Sequence, residues 1–231
     1  MAIKNWRNLA YILAMVSSIQ SFVLSTIAMF FYTGGTGSNP SSPGYAFFEN
    51  LLSDLGRLYA YSGQFNLESC VIYNISLFLM GALLIPYFIA VPNFFKGLKE
   101  AKWFCIAGSV AGIFISLMLI GASLTPADLL IDIHLTFGML AFFIGIPLAV
   151  LFSVAIVTNK KYPNIYAAIY AVLGVVLLVF ILLMFQDVGS PFITPRFAIG
   201  QKVVVYTMLA CFFFQGYGAR KLKFTSAGTS S

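Results

Sequence analysis

Charges along this chain leave six long apolar intervals. The first covers about 9–32, after Arg7, and the second is the uncharged stretch 69–95. The others are 103–124, 134–159, 164–186 and 197–219, the last with Lys202 inside it. A helix needs ~20 mostly apolar residues to cross ~30 Å of hydrocarbon, and each interval meets that length. The expected fold class is an all-α integral membrane protein, with six transmembrane helices bundled in one domain over 1–224. The first interval is longer than a signal-peptide core and no small-residue cleavage site follows it, so it reads as a true helix.

Two other segments break the pattern. The run 33–44 is rich in Gly, Ser and Pro and predicts a flexible turn. From Phe48, apolar residues recur at Leu51, Leu52, Leu55, Leu58 and Tyr59, with Glu49, Asn50, Ser53, Asp54 and Arg57 between them. That spacing predicts an amphipathic helix over about 45–61, lying on the outer interface. A seventh span is disfavoured because Asp or Arg at mid-bilayer costs about 2.5–3.5 kcal/mol each. The last residues, 225–231, have too little apolar content to fold and predict a disordered tail.

Composition agrees with the pattern. Of 231 residues, 60% are hydrophobic and 9% charged, against about 25% charged in a soluble domain. Mean hydropathy is +0.94. A soluble enzyme, a nucleic-acid binder and a secreted disulfide scaffold are all poor fits. The net charge of +6 therefore acts as a topology signal. Lys4, Arg7, Lys96, Lys99, Lys102, Lys160, Lys161, Arg220, Lys221 and Lys223 fall on one side; Arg57, Arg196 and Lys202 fall on the other. The positive-inside rule puts both termini in the cytoplasm, with the cell membrane as the expected location. Glu49, Asp54, Glu68, Asp128, Asp132 and Asp187 lie on the outer side and Glu100 alone on the inner, so polar chemistry is expected at the outer surface. Cys70, Cys105 and Cys211 lie on separate spans without ligand spacing, so neither a disulfide nor a metal site is expected. No catalytic or cofactor-binding signature is present, and no cofactor is expected.

The outer half carries the candidate site residues. Ser53-Asp54-Leu55-Gly56 offers a hydroxyl and a carboxylate. His134, the only histidine, opens the fourth span, and its ordinary pKa near ~6.5 suits a proton donor, acceptor or switch. Gln201-Lys202 opens the sixth. Lys202 either snorkels to the interface or is buried against Asp54, Asp132 or Asp187. Thr125-Pro126-Ala127-Asp128 has the form of a helix start, with Thr125 as N-cap. A helix there would turn His134 about 200° from Asp132, so those two would not pair. The stripe Cys105, Gly108, Gly112 and Ser116 suits close approach of another helix. Ser17, Ser18, Gln20, Ser21, Ser25, Asn74 and Ser76 read as interhelical hydrogen-bonding groups. Asp54, His134 and Lys202 are expected to converge in an outward-facing pocket, with Ser53, Asp132 and Gln201 completing the binding set.

These residues, in this topology, resemble the six-helix proteins related to the damage-regulated autophagy modulators and the GPI-anchor lipid-remodelling proteins. The resemblance implies an outward-facing polar site for lipid headgroups, with Asp54, His134 and Lys202 as the positions carried over. Membrane hydrolases of the ceramidase and adiponectin-receptor type need a histidine cluster that this chain lacks. Three functional classes follow: a lipid-binding or lipid-remodelling protein whose partners are membrane lipids; a non-catalytic subunit packed against other membrane chains; and a small transporter. Whether the first is an enzyme is left open.

Overall fold

The structure, a computed structural model, describes residues 2–186 and 194–228. Six helices occupy the six apolar intervals: α1 Ala2–Phe31, α2 Leu67–Ala90, α3 Lys99–Ser123, α4 Ile131–Val157, α5 Ile165–Gln186 and α6 Pro195–Gly228. All six are long and apolar enough to cross a membrane. Among the described residues no strand forms, and the one β contact is an isolated bridge between Tyr59 and Phe65. Helix α6 runs four residues into the segment expected to be a tail; 229–231 lie outside the described residues.

Each helix packs on its neighbour in sequence, and α6 closes back onto α1, giving an antiparallel ring. One end of the ring therefore carries the start of α1 and the end of α6 (the terminal end), and the other carries the loop 32–66 and the α3–α4 connection (the loop end). Aromatic side chains fill the middle. Phe152 stacks on Tyr170 at 4.9 Å between centroids, and Phe88 meets Phe212 edge-on at 5.6 Å. Such pairs add about 0.5–1.5 kcal/mol each beyond the area they bury.

Glycine makes room for these rings. A side chain at Gly112 would overlap the Phe88 ring, and one at Gly108 would come within 3.0 Å of Phe152. The small-residue stripe of α3 thus receives rings from α2 and α4. Backbones approach closely instead at Gly81, where a Cβ would lie 2.5 Å from the Ser116 carbonyl oxygen. The hydroxyls of α1 divide between two uses. Ser76 of α2 donates to Ser21 at 3.2 Å and Gln20 donates to the Ser76 carbonyl at 3.1 Å, joining α1 to α2. Ser17, Ser18 and Ser25 return to carbonyls of their own helix.

Two sequence expectations are overturned at the loop end. The segment 45–61 is not an amphipathic helix: it is irregular, with a single 3₁₀ turn at Leu52–Gly56. Leu52 and Leu55 are buried as their stripe demands, but so are Asn50 and Asp54, while Phe48 is 64% exposed. The cause lies in the polar side chains. Asn50 Oδ1 accepts the Ala46 N–H at 2.9 Å and Asp54 Oδ2 accepts the Leu51 N–H at 2.7 Å. Short polar side chains compete in this way for the backbone groups a helix would use.

The second correction concerns Thr125. It does not cap α4; its hydroxyl donates to the carbonyls of Gly121 and Ala122 at 3.0 and 3.1 Å and closes the end of α3. Helix α4 begins later, at Ile131. The Asp128 carboxylate, freed from capping, accepts the N–H groups of Leu58 and Tyr59, both at 2.9 Å. It thereby ties the first loop to the α3–α4 connection.

Candidate functional site

The first turns of α6 aim two adjacent side chains at the first loop. Gln201 Oε1 accepts the Leu52 N–H at 2.8 Å, and its Nε2 reaches Ser53 Oγ at 3.5 Å. Lys202 Nζ donates to the carbonyl oxygen of Asn50 in a short hydrogen bond and to that of Ala198 at 3.3 Å. It also lies 5.4 Å from the Tyr45 ring centroid and 5.1 Å from that of Phe47, within cation–π range. Only 2% of Lys202 is exposed. It is buried and does not snorkel, but its direct partners are backbone carbonyls and rings: Asp54 is reached only through Asn50, and Asp187 lies outside the described residues.

Asn50 joins the lysine to the acid. Its carbonyl accepts from Lys202, while its Nδ2 donates to Asp54 Oδ2 at 3.3 Å and to the Gly35 carbonyl at 3.0 Å. Burial pushes the Asp54 carboxyl up to about 6, against the opposing pull of the Leu51 N–H, the Asn50 amide and the positive charges of Arg57 and Lys202. Asp54 and Lys202 thus occupy one buried network whose bonds run to the loop backbone. Its evident work is to hold an irregular loop on the bundle.

His134 lies apart from this network. It is buried near the start of α4, and its Nδ1 lies 2.7 Å from the Thr125 carbonyl oxygen and 3.2 Å from that of Ala122. Carbonyl oxygens only accept, so Nδ1 carries a hydrogen. In the neutral ring Nε2 is then an acceptor.

Beneath the 3₁₀ turn is a cavity of about 110 Å³, bounded by α1 to α4 and α6. His134, Ser53 and Gln201 line it; its walls include Leu77, Met80, Leu119, Phe142, Val205 and Met208. Neither Asp54 nor Lys202 lines it. The expected pocket of Asp54, His134 and Lys202 therefore separates into two groups. The loop folds Asp54 inward onto its own backbone, and Lys202 follows it, leaving Ser53 and Gln201 to face the cavity with His134. Asp132 belongs to neither group and is exposed on the first turn of α4. Asp187 lies outside the described residues.

Two residues that organise this end were not singled out by sequence. Asn50 read as part of a polar helix face, although its spacing of four from Asp54 brings the two together. Asp128 read as a helix-start acid, and only the fold brings the Leu58 and Tyr59 amides to it. Among the described residues no three of His, Cys, Asp and Glu gather as metal ligands. Comparisons with protein-family models, curated proteins and solved structures find no match to this chain.

Proposed function

We propose that this chain is an integral membrane protein that binds a lipid at the loop end of its bundle, under the pinned first loop. The cavity carries the reading, because it combines apolar walls with a polar end supplied by Ser53, His134 and Gln201. Small-molecule sites take this form, with a few oriented polar groups on an apolar lining. The family resemblance points the same way, toward lipid headgroups at the outer surface.

In this proposal the loop end faces out and both termini face the cytoplasm of a cell membrane, as the distribution of Lys and Arg suggests. The first loop then rests at the outer interface, with Phe47, Phe48 and Tyr59 among its exposed side chains. A subunit role draws on a separate feature, an apolar groove between α1 and α6 lined by Ile19, Phe22, Tyr206, Leu209, Phe213 and Phe214. A transporter is less well supported, since among the described residues the buried Asp54, His134 and Lys202 all lie near one end of the bundle and not along a path through it.

Native mass spectrometry of the protein released from lipid nanodiscs tests the proposal. One lipid per chain should survive release. A chain that emerges without lipid while remaining folded would contradict it.

A further inference from the structure

Among the described residues, the polar lining of the cavity is Ser21, Ser25, Ser53, Ser76, Tyr73, His134 and Gln201, and none of these carries a fixed charge. Several are already committed. Ser76 and Ser21 bond each other at 3.2 Å, Ser25 donates to the Phe22 carbonyl at 3.1 Å, and Gln201 Oε1 is taken by Leu52. What is left for a ligand is the His134 Nε2 acceptor, an N–H of Gln201 and the hydroxyls of Ser53 and Tyr73. The one lysine nearby, Lys202, gives two of its three hydrogens to the carbonyls of Asn50 and Ala198 and does not line the cavity.

The way in is marked by Gly138. Among the helical glycines from Gly81 to Gly218, Gly138 alone would place a Cβ in open space, with nothing within 4 Å. A helical glycine costs about 1 kcal/mol relative to alanine, and here no neighbour needs the room. Gly138 lines the cavity, as does Leu135 one turn earlier, which is 49% exposed on the outside of the bundle. The cavity therefore reaches the lipid-facing side of α4 along Leu135, Gly138, Met139 and Phe142. Its volume of about 110 Å³ is below the roughly 150 Å³ of an engineered cavity that accepts benzene. That is room for a small headgroup alone, with a single chain left outside along α4 past Gly138.

We infer that the cavity admits, past Gly138, a single-chain lipid with an uncharged hydroxyl headgroup, which donates to His134 Nε2 and accepts from Gln201. A phosphate or carboxylate headgroup would meet an acceptor nitrogen and no cation, and burying a charge without a partner is costly. The inference rests on the lipid-binding reading and adds the chemical class of the ligand.

The test uses the full chain in phosphatidylcholine nanodiscs doped equally with monooleoylglycerol, oleate and lysophosphatidic acid, read by native mass spectrometry. Monooleoylglycerol should be the species retained. Gly138→Leu should fold normally and retain none. In His134→Asn the amide N–H keeps the bond to Thr125 but Nε2 is gone, so retention should fall about tenfold, the effect of one neutral hydrogen bond. Preferential retention of oleate or lysophosphatidic acid, or undiminished retention by a folded His134→Asn, would overturn the headgroup assignment and leave lipid binding standing. Failure of the wild type to retain any lipid, or equal retention by Gly138→Leu, would overturn the cavity as the site. The wild-type competition alone decides the ligand class should a variant fail to fold.

Discussion

Lys202 reaches Asp54 through Asn50: its ammonium donates to the Asn50 carbonyl oxygen, and the Asn50 side chain donates to Asp54 Oδ2 at 3.3 Å. Acid and base thus lie on opposite sides of one asparagine, and both are buried. The lysine belongs to α6 and the acid to the first loop, so the relay fixes the loop over the cavity.

Lys202→Met removes the cation and leaves Asp54 buried with less compensation. The expected loss is of order 3 kcal/mol near pH 8, measured by thermal unfolding in detergent. Adding Asp54→Asn should recover at least about 1 kcal/mol of it, because the two positions are coupled. Strictly additive losses would show that the relay carries no coupling.

The raised carboxyl of Asp54 makes stability depend on pH in a definite direction. The folded protein holds the proton up to about 6, whereas the ordinary value is 3.8. Stability from this group is fully present below 3.8 and is lost as pH rises through about 6. The wild type should accordingly lose stability across that window, and Asp54→Asn should flatten the profile there. A wild-type curve that rises through the same window and is unchanged by Asp54→Asn would refute the assignment.

The six helices were legible from charge spacing alone, because crossing hydrocarbon requires long uncharged runs and little else interrupts them. The first loop was not legible. Its residues satisfy a helical stripe from Phe48 to Tyr59, and the outcome depends on where Asn50 and Asp54 spend their hydrogen bonds, which periodicity does not encode. Candidate residues were found in part for the same reason. His134 and Gln201 were identifiable as polar groups near the starts of two apolar intervals, and Ser53 as a polar group of the first loop, but only the folded loop separates them from Asp54 and Lys202. The space beside Gly138 left no mark in the pattern at all.

Gln201→Leu should release the loop. The buried N–H of Leu52 loses its acceptor, at a cost of about 1–3 kcal/mol. Amide hydrogen exchange at Leu52 and its neighbours should accelerate while exchange in the middle of α2 and α3 stays slow. Unchanged protection at Leu52 would show that the loop is held by other contacts.

The proposed orientation can be tested with little background, since Cys70, Cys105 and Cys211 are all buried. Ser41→Cys, at an exposed position of the first loop, should react with an impermeant maleimide on intact cells. Lys160→Cys, exposed in the α4–α5 connection, should react only after permeabilisation. The reverse labelling would invert the topology.

Lipid occupancy of the cavity is tested most directly by photo-crosslinking. A monoacylglycerol with a diazirine on its first chain carbons, incorporated into nanodiscs with the full chain, should label Leu135, Met139 or Phe142 at the cavity mouth, with labelling lost in Gly138→Leu. Labelling confined to the outer faces of α5 and α6, at residues such as Leu182 and Phe214, and indifferent to Gly138→Leu, would contradict a lipid site under the first loop.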